Sequence, residues 1–109
     1  MDAKTAQHFL RSVAYNEGFH FFMVDGHYSG ETAVNLCFFL RDLQHVDIQS
    51  IRFHFDRGDF QRWLRTKIGD EELARRIDAV DTNASDETLR QKLASIVEAR
   101  IVELKAIES

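Results

Sequence analysis

Apolar positions recur along this chain with two periods, and the changes of period mark its elements. Ala6, Phe9, Leu10 and Val13 fall in steps of three and four, which predicts an amphipathic helix over residues 3–15 with Asp2 as its cap. Gly18 is the natural stop. Phe19 to Val24 (FHFFMV) is too short for a helix of its own and rich in aromatics, so it reads as a strand. Asp25-Gly26 is a strong turn dipeptide, and Tyr28 to Val34 follows as a second strand, with Gly30 accommodated as a bulge or close approach. Two strands alone are marginal in water, so the hairpin must lie against something. The next helix is the obvious cover: Asn35 is a good N-cap, Leu36, Phe39, Leu40 and Leu43 share a face, and Val46-Asp47 closes it.

Ile48 to Ala74 is the densest stretch. Ile48, Ile51 and Phe55 fall on one helical face, and Phe60, Trp63, Leu64 and Ile68 on the next. Gly58 lets the backbone leave the first helix, because it has no Cβ to clash at positive φ. Asp59 is then expected to cap a second helix, Asp70 a third that holds Leu73, Ala74 and Ile77, and Ser50 to start the first. Residues 51–55 (IRFHF) also suit a short strand, and helix is the favoured assignment. After a polar loop over residues 81–85, Ser85 caps a last helix over about residues 86–107. Its stripe of Leu89, Leu93, Ile96, Val97, Ile101, Leu104 and Ile107 runs about 33 Å, longer than a domain of this size needs. That stripe serves either to pack its first half on the core or to form a self-association seam. The pattern as a whole predicts a helix-rich α+β fold: one N-terminal β-hairpin packed on helices, and a long C-terminal helix. Residues 1–109 form a single domain with its core in residues 3–80.

Composition narrows the class. A chain of 109 residues with 44 % hydrophobic and 29 % charged content is an ordinary globular domain with room for one core, and nine phenylalanines make that core aromatic. The formal charge of −4 disfavours non-specific attraction to nucleic acid or anionic lipid. Cys37 stands alone inside an apolar run, which reads as a buried, inert thiol in a reducing compartment. No basic-then-apolar leader opens the sequence and no apolar run is long enough to span a bilayer, so the expected location is the cytoplasm.

The segment HFDRGDFQRWL, with His54, Arg57, Gly58, Asp59, Phe60 and Trp63, is followed by IGDEELARRI and preceded by GHYSGETAVNLCFF. Together these resemble a family of small archaeal and bacterial domains known only as a domain of unknown function. The likeness covers roughly residues 18–78. It implies a fold and carries over no activity and no catalytic residue.

The side chains that could carry chemistry concentrate in the same stretch. Arg52, Arg57, Arg62 and Arg65 make it locally basic around Trp63, a pattern that can hold single-stranded nucleic acid or phosphate. The competing reading is a solvated face balanced by nearby acids. His20 and His27 could face each other across the hairpin with His54 nearby, a weak metal candidate because no recognised ligand spacing occurs. His54 alone reads as a partly buried imidazole bonded to a backbone carbonyl. Arg57-Gly58-Asp59 spells an adhesion tripeptide, but a helix stop followed by a cap explains it better. Asp56, Asp59, Asp70, Glu71 and Glu72 sit at helix starts, where the macrodipole accounts for acids without catalysis.

No phosphate-binding glycine loop, nucleophile elbow or cofactor cradle is present, so no cofactor is implied. The function expected from the sequence is a non-catalytic interaction or regulatory module, with an unknown protein partner or self-association through the last helix, and no membrane. The alternative is nucleic-acid or phosphate binding through the arginines. An enzyme using His54 with Asp56 or Asp59 comes third, and it requires those side chains to converge on a pocket.

Overall fold

The computed structural model describes all 109 residues. Its elements are α1 (Ala3–Leu10), β1 (Phe19–Phe22), β2 (Tyr28–Ala33), α2 (Leu36–His45), α3 (Ile48–Asp56), α4 (Asp59–Trp63), α5 (Glu71–Asp78) and α6 (Asp86–Glu108). A π-helical turn over Leu64–Ile68 continues α4, and a single 3-10 turn over Tyr15–Glu17 precedes β1. The two strands form one antiparallel hairpin at the N-terminal end, so the fold is α+β and helix-rich as the pattern predicts. Residues 51–55 are helical.

Capping explains most boundaries. Asp2 accepts from the Thr5 N–H, Asn35 from Phe38, Asp70 from Leu73 and Ser85 from Thr88, each satisfying an orphan donor of a first turn. Three expected boundaries differ. The cap of α3 is Asp47, not Ser50; Ser50 is buried, and its hydroxyl donates to the Phe22 carbonyl at 2.7 Å, tying α3 to β1. Gly58 occupies the N-cap position of α4 at φ +72°, so Asp59 is the first helical residue and its carboxylate serves another purpose. The first helix stops at Leu10 rather than near residue 15. Arg11 leaves it to donate to the His8, Ile68 and Lys67 carbonyls, and the Val13 N–H bonds the Val34 carbonyl. Long-range polar contacts outweigh the local period there.

The hairpin pairs Phe19 with Ala33, His20 with Thr32 and Phe22 with Tyr28. One residue of β1 therefore faces three of β2, a bulge in which Gly30 takes φ +93°. Phe19 and Phe21 turn inward, 4.7 Å apart, and meet Phe39, Phe60 and Trp63 at ring separations of 5.0–6.0 Å, so the hairpin is held by an aromatic cluster. One core of 23 buried apolar residues runs from this cluster to the α1–α6 contact.

In α6, Leu89, Leu93, Val97, Ile101 and Leu104 are all buried, packed along α1, α2, α3 and α5. The chain thus uses almost the whole stripe within its own core, down to the last turns. Cys37 is exposed rather than buried, because Leu36, Phe39 and Leu43 define the inward face of α2 and put position 37 outside it. No helix is long and apolar enough to cross a membrane.

Candidate functional site, a cationic cleft between the hairpin and the α3–α4 corner

The corner between α3 and α4 turns at Gly58, and this turn brings successive helices to face one wall of the hairpin. From α3 come Phe53 and His54, and from its C-cap Arg57; from α4, Asp59, Arg62 and Trp63; from the π-helical turn, Thr66 and Lys67. The hairpin side supplies Phe19, His20 and Phe22, with Gly18 and Gly26 at its ends. Together they line an open cleft of about 460 Å³, within the size range of small-ligand sites. A second groove of about 470 Å³ runs between α5 and α6, where Arg76 is already bound to Glu72 and Glu103.

His54 is buried, and both its ring nitrogens are engaged. Nε2 accepts the backbone N–H of Phe22 at 2.8 Å, which leaves Nδ1 to carry the proton and donate to Asp59 Oδ2 at 2.8 Å. Burial lowers the pKa of the ring below its usual value, and the hydrogen bond to Asp59 only partly offsets this. The imidazole–carboxylate pair has the form of a catalytic dyad, but the lone pair a general base needs is spent on a strand amide. His54 is therefore a structural link between α3, α4 and β1. The partner is a backbone N–H, where a carbonyl was expected.

Asp59 is the hub of the corner. Besides His54 it accepts from Arg62 Nη1 at 2.9 Å, and Arg57 Nε lies 3.4 Å from it. These contacts hold the two guanidinium groups side by side while most of each stays in solvent, 60 % exposed for Arg57 and 64 % for Arg62. Arg57 also lies 4.8 Å above the Phe53 ring. Lys67 pairs with Glu17 at 2.8 Å on the other rim. Trp63 is almost wholly buried and donates its indole N–H to the Glu17 carbonyl, forming part of the wall. The cleft thus has an aromatic interior and three cations at its mouth, in a chain whose overall charge is −4.

Of the four arginines singled out in the sequence, the fold brings Arg57 and Arg62 together and sends the other two elsewhere. Arg52 donates to Asp86 and to the Thr82 and Ala84 carbonyls, fastening the loop before α6. Arg65 is held between Glu71 and Asp78. Asp56 is on the Arg52 side, 3.9 Å from it, and outside the cleft.

The three histidines do not converge. His20 bonds Thr32 and His27 bonds Asp25 in the exposed turn, while His54 is committed as described. No three His, Cys, Asp or Glu side chains stand where they could share a metal ion. Lys67 belongs to the same basic run of the sequence, whereas Phe53 and Thr66 were not singled out from it. The signal available was the i, i+4 relation of Phe53 to Arg57, Arg62 to Thr66 and Trp63 to Lys67, which puts aromatic and cationic groups on shared faces.

No curated protein and no solved structure matches the chain. The model of a family of unknown function, DUF5752, matches residues 3–98 and also residues 56–109. The chain, so matched over most of its length, belongs to that family.

Proposed function

We propose that the protein is a non-catalytic binding module of the cytoplasm, whose cleft takes an anionic group carried on a flat apolar body, such as an aryl phosphate. One observation carries the reading: Arg57, Arg62 and Lys67 crowd the mouth of an aromatic-lined cleft in a net acidic protein. Guanidinium forks suit phosphate and carboxylate oxygens, and Arg57 keeps both terminal nitrogens free of protein partners. The apolar body of the ligand would lie against Phe53 and Trp63. The occupied lone pair of His54 favours binding over turnover.

A small ligand is favoured over a nucleic-acid strand. Tracking a backbone needs a line of cations, and Arg52 and Arg65 are tied to acids outside the cleft. The free thiol of Cys37 at the surface suits a reducing compartment.

The test uses Trp63, the sole tryptophan, as reporter. Phenyl phosphate should change its emission and release or absorb heat on titration, and Arg57→Gln/Arg62→Gln should remove both signals. No response from the wild-type protein would end this reading. A strongly salt-dependent response to single-stranded RNA, with none to phenyl phosphate, would replace it with the nucleic-acid alternative.

A further inference from the structure

His20 differs from His54 in one respect that matters for the ligand. It lines the cleft from the hairpin side, only partly buried, and its Nδ1 lies 2.7 Å from Thr32 Oγ1. That hydroxyl belongs to a closed triangle. Thr32 Oγ1 donates to the Tyr15 hydroxyl at 3.3 Å, the Tyr15 and Tyr28 hydroxyls are 3.0 Å apart, and Tyr28 returns to Thr32 at 2.5 Å. Each of three hydroxyls has one proton to give. When Thr32 gives its proton to Tyr15, Tyr15 gives to Tyr28 and Tyr28 to Thr32, the triangle consumes all three.

Thr32 then has no proton left for His20 and can only accept. With that donor assignment the neutral ring carries its hydrogen on Nδ1, and Nε2 is left as a lone pair with no partner in the protein. The rings of Tyr15 and Tyr28 flank His20 at 5.3 and 6.1 Å and hold its plane. In that tautomer His20 brings an acceptor nitrogen to the hairpin wall of the cleft.

From this arrangement, and resting on the anion-binding reading above, we propose that His20 is the specificity-determining residue of the cleft. It selects ligands that carry a hydrogen-bond donor, a hydroxyl or an N–H, on the part of the flat body remote from the anionic group. The ligand class is a hydroxyl- or amino-substituted aromatic or heteroaromatic phosphate. Thr32 is the positioning residue, acting through the tautomer of His20.

The experiment compares phenyl phosphate with 4-aminophenyl phosphate by calorimetry on the full chain. One added hydrogen bond to this acceptor corresponds to about a fivefold gain in affinity, expected for the amino compound with wild type. His20→Phe, which keeps a flat ring and removes the acceptor, should bring the two probes to equal affinity. Thr32→Val should shrink the preference by freeing the tautomer, and circular dichroism checks that each variant is folded. Equal affinity of the two probes for wild type, or a preference that survives in folded His20→Phe, would overturn the role of His20 and leave the anion-binding reading standing. Failure of both probes to bind wild type would overturn both.

Discussion

At the α5–α6 contact, Asp70 is completely buried and takes both oxygens to Arg100, at 2.8 and 2.9 Å, while also capping α5. Arg100 continues to Glu103, Glu103 to Arg76, and Arg76 to Glu72. Every cation in that chain ends on an acid. At the α3–α4 corner, Asp59 also gathers a histidine and two arginines, yet Arg57 and Arg62 stay largely in water with donors to spare. Both regions are buried or half-buried carboxylates beside arginines, and the same residue types serve opposite ends. Closed pairing is what a scaffold needs, because a buried charge without a partner is costly. Open pairing around an aromatic hollow is what a binding site needs. Completeness of pairing, rather than the presence of charge, separates the two.

The comparison can be broken most severely at the closed end. Arg100→Met would strand the Asp70 carboxylate in the core, with an expected loss of about 3–5 kcal/mol in urea unfolding and no direct effect on the cleft. A loss under about 1 kcal/mol would mean that the two ends do not differ as described. At the open end Asp59→Ala removes the partner of the His54 Nδ1–H and the brace of both arginines. It should cost about 1–3 kcal/mol, more than the loss of an exposed cap would.

Acid sharpens the role of His54. Its folded pKa is depressed below 6.5, so the folded state resists protonation that the unfolded chain accepts. The stability tied to the neutral ring is present above the unfolded value and is lost as pH falls from there through the folded value. The urea midpoint should drop as pH falls below about 6.5, and His54→Gln, which cannot titrate, should flatten that part of the profile.

Asp42 provides a smaller effect of opposite sign. It is buried on α2 with Oδ2 unpartnered, and burial raises its pKa above 3.8 despite the hydrogen bond from Arg41. The folded state binds this proton more tightly than the unfolded one, so ionisation costs stability as pH rises past 3.8. Asp42→Asn should therefore stabilise the protein at neutral pH by about 1 kcal/mol, with the gain vanishing in acid. The least effect on stability is expected where binding is most affected. Arg57→Gln/Arg62→Gln should move the unfolding free energy by about 0.5 kcal/mol or less, since both side chains are mainly solvated.

Local rules were enough for much of this architecture. Asp2, Asn35, Asp70 and Ser85 cap the helices their positions predict, Asp25-Gly26 turns the hairpin, and Gly58 ends α3 at positive φ. Each depends on neighbours within about four residues, the range over which helix and turn chemistry acts. Local rules miss Ser50 and Cys37 because their surroundings come from elsewhere in the chain, the Phe22 carbonyl for Ser50 and the seating of α2 on the core for Cys37; Asp59 has near partners, His54 and Arg62, and is displaced from the cap position by Gly58.

The sequence by itself determined the elements and the local excess of arginine around Trp63. Only tertiary structure decided that Arg57 and Arg62 meet at an open mouth while Arg52 is bound to Asp86 and Arg65 to Glu71 and Asp78, and that His54 is spent on a strand amide while His20 lines the cleft beside Thr32. The physical reason is range. Helix periodicity and capping are short-range, whereas whether a charge or a lone pair is available depends on every partner that folding brings to it.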